Sequence, residues 1–283
     1  MERTLNFHIF RFHLNPISND SQQIELFPNE KKTPEELKER KNEFFNETLQ
    51  ELDFYKDERN PLKHEHSENE YYLIKLAQRK TTRIVQDFED FEVTNEPFVY
   101  IIINNNPNVQ KIAVSENIEA FTEPKVVKNL LEKLFNKGLK KFGLGVSIEE
   151  LFKKESFWKF VQAHSHEIKL IDFKYIRPNM ANISKSLPED FRNFTDNVNS
   201  KESHIVLKAP ENGVLENIDK KNPTINGLVE YTSEGAGDIK LKIKGINKRY
   251  STKENPVTIK ISEAQIEGPA EQVIKVYQSI VSE

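Results

Sequence analysis

The chain has 283 residues, 36% of them apolar and 30% charged, with a formal net charge of −4 and no cysteine. That length supports one large hydrophobic core or two modest ones. The lack of cysteine excludes disulfides, thiolate metal sites and a cysteine nucleophile.

No run approaches the ~20 apolar residues of a membrane-spanning helix. The first residues hold no apolar stretch of signal length, so a cytoplasmic protein is expected. The charge is unevenly spread. Residues 1–124 hold 15 Lys and Arg against 24 Asp and Glu; residues 125–185 hold 13 against 6, and residues 237–260 hold 7 against 2. Two readings fit this asymmetry: a polyanion partner at the basic segments, or basic and acidic segments that face each other in the fold.

Leu5–Phe12 reads as a strand apolar on both faces, hence internal. Thr33-Pro34-Glu35-Glu36 opens a helix, with Thr33 as N-cap and Phe44, Phe45, Leu49 and Leu52 turned inward. Asp57–Glu70 reads as a charged connection. Tyr71–Leu76, Arg79–Val85, Phe98–Ile103 and Val109–Val114 form a sheet, the last two joined across Asn104-Asn105-Asn106-Pro107-Asn108. A second helix begins at Pro124 and buries Val127, Leu130, Leu131 and Leu134. Gly143–Ile148 is a short strand, Ser156 caps a helix anchored by Trp158, and Ile168–Ile176 is a strand that stops before Pro178. Beyond it we expect a helix over 187–198, strands over 203–208, 228–231 and 257–261, and a closing helix over 269–281. The expected fold is α+β. A mixed or antiparallel sheet with flanking helices fills residues 1–180, and a smaller sheet-containing part fills 181–283, divided between Pro178 and Leu187.

Gly237–Gly245 is the most informative stretch. Its period of two buries Ile239, Leu241 and Ile243 and sets Lys240, Lys242 and Lys244 in a row on the other face, roughly 6–7 Å apart. Such a row is either solvated or faces an anion of similar repeat, for which a phosphate backbone qualifies. Lys248 and Arg249 extend it, with Tyr250 near for stacking. Two further basic groups are Arg79, Lys80 and Arg83, interleaved with Thr81 and Thr82, and Lys137, Lys140 and Lys141 where a helix ends and cations also suit its dipole.

Other chemistry has thinner support. His64-Glu65-His66 and His164-Ser165-His166 have the spacing of a metal pair, but the first falls in a charged loop and the second at a helix C-terminus. Asp238-Ile239-Lys240 matches half of a nuclease core, with Glu230 as a candidate second acid. Gly235-Ala236-Gly237 is too isolated to cradle phosphates. We therefore expect no metal, no cofactor and no catalytic residue.

In Tyr71–Val85, in Pro97–Val114 with its Phe98-Val99-Tyr100-Ile101 core, and in Ala236-Gly237-Asp238-Ile239 leading into the lysine hairpin, the chain resembles the RexA/KwaB-type DNA-binding proteins of antiphage defence. The resemblance spans the pattern of 60–130 and 165–265. It implies sequence-tolerant binding of double-stranded DNA by a prophage or plasmid defence protein, often with a membrane-protein partner encoded nearby, and it transfers no catalytic residue. The expectation is a non-enzymatic nucleic-acid binder. The alternatives left open are a metal-dependent nuclease or hydrolase, and an interaction subunit of a defence complex that docks a partner through its acidic N-terminal third; a homo-oligomer is also open.

Overall fold

Thirteen residues, Thr4–Pro16, form the first strand, β1, and its middle is buried without a break from Ile9 to Leu14. Burial on both faces marks an interior strand, and β1 does run between two neighbours. The computed structural model describes residues 4–17, 34–52, 58–68, 70–176, 189–198, 200, 202–268, 275 and 278, and its fold is α+β.

The larger sheet contains β1, β2 (Leu62–Glu68), β3 (Tyr71–Ala77), β6 (Phe98–Asn104), β7 (Lys111–Ser115) and β13 (Thr258–Ser262), in the order β13-β1-β7-β6-β3-β2. β8 (Leu144–Glu150) also pairs with β1. The pairs β2/β3, β3/β6 and β6/β7 are antiparallel, with Ile102 opposite both Leu73 and Ala113. Helices α2 (Lys41–Gln50) and α3 (Pro124–Leu139) supply the aromatic cover, and α1 (Pro34–Glu39) adds the buried Leu37. Phe45 meets Phe12 at 4.8 Å and Phe135 at 5.1 Å between ring centroids. Each such side chain, removed from water, stabilises the fold by about 1.5–3 kcal/mol. α2 is tied to the loop after β6 by side-chain amides: Asn42 donates to Asn105 O (2.8 Å), Asn105 donates to Asn42 O (2.8 Å), and Gln110 donates to Asn42 Oδ1 (3.2 Å).

β4 (Lys80–Gln86) and β5 (Glu89–Asn95) do not join this sheet. Among the described residues they pair only with each other, and every residue from Arg79 to Glu96 is exposed. The expectation that Arg79–Val85 lies beside Tyr71–Leu76 is thus corrected. Its partner is the acidic strand that follows it, across a two-residue turn at Asp87 and Phe88.

The second sheet has the order β10-β9-β11-β12, made from β9 (Ile168–Ile176), β10 (Glu202–Lys208), β11 (Gly237–Ile243) and β12 (Tyr250–Ser251). Its inner face packs Ile171, Phe173, Tyr175, Ile239 and Leu241 against α4 (Lys154–Ala163) and α6 (Pro223–Tyr231). Between these helices in sequence is α5 (Glu189–Asn197). Trp158 is buried, edge-on to Phe157 at 5.0 Å, an anchor of α4 as expected.

The described residues form two compact units: Ile9–Arg11 with Glu149–Thr258, and the remainder through Ile148 and from Ile259 onward. This differs from the expected halves 1–180 and 181–283. β9, which falls in the first of those halves, is hydrogen-bonded to β10 and β11 and so belongs with them. The expected linker at 178–187, the cap at Thr33 and most of the expected closing helix lie outside the described residues.

Three local expectations change. Part of the charged connection 57–70 is strand β2, held by β3. α4 begins at Lys154, ahead of Ser156. Leu228–Tyr231 is the end of helix α6, not a strand: the Asn222 side chain accepts from Ile225 N at 3.2 Å, Pro223 takes the first turn, and Ile225, Leu228 and Val229 are buried at helical spacing.

Candidate nucleic-acid interface

The lysine strand has the faces its sequence dictates. Ile239, Leu241 and Ile243 are buried, whereas Lys242 is exposed and Lys240 half-buried. The row is shorter than expected. The register of β11 on β9 slips between Lys242 and Ile243, and Lys244 falls in the turn that follows, still exposed.

The pairing of β11 with β9, and of β9 with β10, adds residues that no single segment reveals. Lys242 is opposite Leu170, which is opposite Lys208. The two lysines therefore flank Leu170 across two strand spacings, about 10 Å. One row along, Lys240 is opposite Asp172 and Asp172 opposite Val206; beyond that, Asp238 is opposite Lys174 and Lys174 opposite His204. Lys208, Asp172 and His204 are functional candidates that sequence reasoning missed. The alternation His204-Val206-Lys208 was readable, but nothing local says which strand lies alongside it.

The face has two electrostatic zones. Around Lys174 charges are matched: Lys174 meets Glu149 (3.4 Å) and Glu202 (2.9 Å), Lys253 meets Glu149 (3.1 Å), and His204 meets Asp172 (2.9 Å) and Glu202 (3.2 Å). The hydrogen bond to Asp172 is the chief cause of a raised His204 pKa, with Glu202 adding to it against some desolvation. Around Leu170 charges are unmatched. Lys208, Lys240, Lys242, Lys244 and Arg249 have no ion-pair partner among the described residues. Lys248 pairs with Glu254 at 2.8 Å. Tyr250 stacks on Phe160 at 3.9 Å and 14°, so one face of its ring is already covered.

The other basic groups are placed differently. Arg79 pairs with Glu96 (2.9 Å), Arg83 with Glu92 (3.3 Å), and Lys80 donates to Glu119 O (2.5 Å). Lys137 is on the last turn of α3, and Lys140 caps it. Lys141 pairs with Glu51 and covers the Phe142 ring at 4.7 Å. Cations there stabilise the helix end with no ligand present. In the same unit, a cavity of about 240 Å³ is lined by Phe98 and Tyr100 and by Glu96, Glu116, Glu119 and Glu263, a rim that repels phosphate.

The residues weighed for metal chemistry do not converge. His64 and His66 are on β2, not in a loop, with the register slipping between them. His164 is the C-cap of α4, bonded to Glu167 at 2.8 Å. Asp238 is buried and accepts from the hydroxyls of Ser251 (3.0 Å) and Thr252 (2.7 Å), and Glu230 is paired with Lys154 at 2.8 Å. Among the described residues, no three His, Asp or Glu side chains come together in a metal-binding group. No helix of the described residues is long and apolar enough to cross a membrane. No protein-family model matches the chain, and no curated protein matches it significantly.

Proposed function

We propose that this protein binds nucleic acid, double-stranded DNA in the first instance, by holding backbone phosphates against the outer face of the β10-β9-β11 sheet. One observation carries the reading: five cations, Lys208, Lys240, Lys242, Lys244 and Arg249, stand on or beside one sheet face with no ion-pair partner among the described residues. Lysine on a strand offers a point charge rather than a bidentate fork, which suits phosphate better than base edges. Binding is therefore indifferent to sequence, and the protein acts as a binder and not an enzyme. A place in antiphage defence is the accompanying proposal, and it rests on the family resemblance; loss of phage protection in cells carrying lysine-to-glutamine variants would support it.

The test is fluorescence anisotropy of a labelled DNA duplex over a salt series, with and without magnesium. Each phosphate contact contributes about 0.9 to the slope of log K against log salt. A steep slope, independent of magnesium and of duplex sequence, is expected. Salt-independent binding, or none at low salt, overturns the reading.

A further inference from the structure

The β4/β5 hairpin carries the least economical residue in the molecule. Phe88 has a φ of 67° and Asp87 a φ of 53°, the left-handed pair that a two-residue hairpin turn requires and that Asn-Gly supplies without strain. Phe88 accepts that conformation and leaves its whole ring in water, 103% exposed. Nothing among the described residues repays either feature, and backbone outliers of this kind concentrate at functional contacts. Val85 is 70% exposed beside it, and Ile84, Phe91 and Val93 follow down the hairpin. The acids Asp87, Glu89 and Asp90 surround the tip and have no ion pair among the described residues. The tip is an apolar knob inside an acidic collar.

The outer sheet face has the opposite arrangement. Val206 is 54% exposed and Leu170 half-buried, bordered by Lys208, Lys240 and Lys242. It is an apolar patch bordered by three lysines, and the one acid between Val206 and Lys240, Asp172, is already paired with His204. We propose that the hairpin tip of one copy docks on this sheet face of a second copy, Phe88 against Leu170 and Val206, with Asp87, Glu89 and Asp90 answering the lysines. The contact joins two different surfaces, so copies add head to tail, into a closed ring or an open chain. A tip this small buries less than the standard interface, so the assembly is weak and transient. The acidic collar occupies the lysines that the proposed function assigns to phosphate. Self-association does not rest on that reading, but competition with nucleic acid does.

Sedimentation velocity at about 100 μM protein, in about 10 mM and about 1 M salt, reads the contact, because screening shortens from ~30 to ~3 Å over that range. Wild type is expected to associate at low salt and to be monomeric at high salt. D87K/E89K, and separately K208E/K242E, should each abolish association; all four positions are exposed, so folding is spared. Mixing the two variants should restore association as a hetero-assembly. Phe88→Ser, with charges intact, should weaken it at least tenfold. A monomeric wild type at low salt overturns the proposal, as does association untouched by the tip variants or a mixture that stays monomeric. Titrating a DNA duplex into D87K/E89K then tests the nucleic-acid reading separately, since that variant keeps its lysine face and cannot assemble. Failure there leaves the self-association result standing.

Discussion

Two strands of this molecule both carry cations among strand-forming residues and reach opposite electrostatic ends. β4 has Lys80 and Arg83 among threonines and β-branched residues; β11 has Lys240 and Lys242 among isoleucine and leucine. β4 pairs with a strand holding Glu89, Asp90 and Glu92, which is directly opposite Arg83, and its flanking arginine is held by Glu96. β11 is opposite Leu170 at Lys242, and Leu170 is in turn opposite another lysine. Cross-strand neighbours on one face are about 5 Å apart, close enough to cancel or to reinforce a charge. A basic strand is thus half a message. The strand alongside supplies the rest.

The largest effect that can break this comparison concerns the backbone that aligns β9 and β11. A Cβ at Gly237 would sit 1.9 Å from Lys174 O, at a φ of 152°. Gly237→Ala should therefore cost more than about 3 kcal/mol, at the severe end for single substitutions, in chemical denaturation followed by Trp158 fluorescence. Val85→Ala on the exposed hairpin should stay within about 0.5 kcal/mol.

Next in size is the charge test. K208Q/K240Q/K242Q should lower the salt slope of DNA binding by about 3, whereas R79Q/K80Q/R83Q should leave it unchanged. Equal losses from the two triple variants would erase the distinction between the strands.

A smaller gain is expected from Asp172→Asn, which removes the one acid opposite Lys240. At about 5 Å in water-like dielectric the relief is near 0.8 kcal/mol, or about fourfold tighter binding.

The smallest effect is on pH dependence. His204 has a raised native pKa, so its contribution to stability is complete below the unfolded value of about 6.5 and fades as pH rises through the native value. The group is exposed and screened, so the amplitude is slight. Wild type should lose marginally more stability than His204→Gln between about pH 6 and pH 8, read from denaturation midpoints; a steeper loss in the variant contradicts the assignment.

Much of the fold was legible where one strand or helix decides its own burial. The both-faced apolar run in β1 and the alternation of β11 gave their orientation directly. α6 was misread because four apolar residues, Leu228–Tyr231, fit either period; the capping Asn222 and Pro223, a turn upstream, were the deciding residues. β5 was missed because glutamate and aspartate are poor strand formers, and what holds it is the hairpin it closes. Of the candidate interface, Lys240 and Lys242 were readable. Lys208 and Asp172 were not, since they reach the face through pairings that span tens of residues.

The order in which the units are written has a consequence for biosynthesis. Glu149–Thr258 interrupts the chain of the other unit, whose edge strand β13 comes afterwards. A chain leaving the ribosome has β9 to β12 complete while the seven-stranded sheet still lacks a strand. The lysine-bearing sheet can thus close first, and the earlier residues of the other unit must wait, with the β1 edge that β13 will cover still open. That interval is when a growing chain is most exposed to edge-to-edge mispairing. A released chain truncated before residue 258 would show it as aggregation, while its second sheet is already whole.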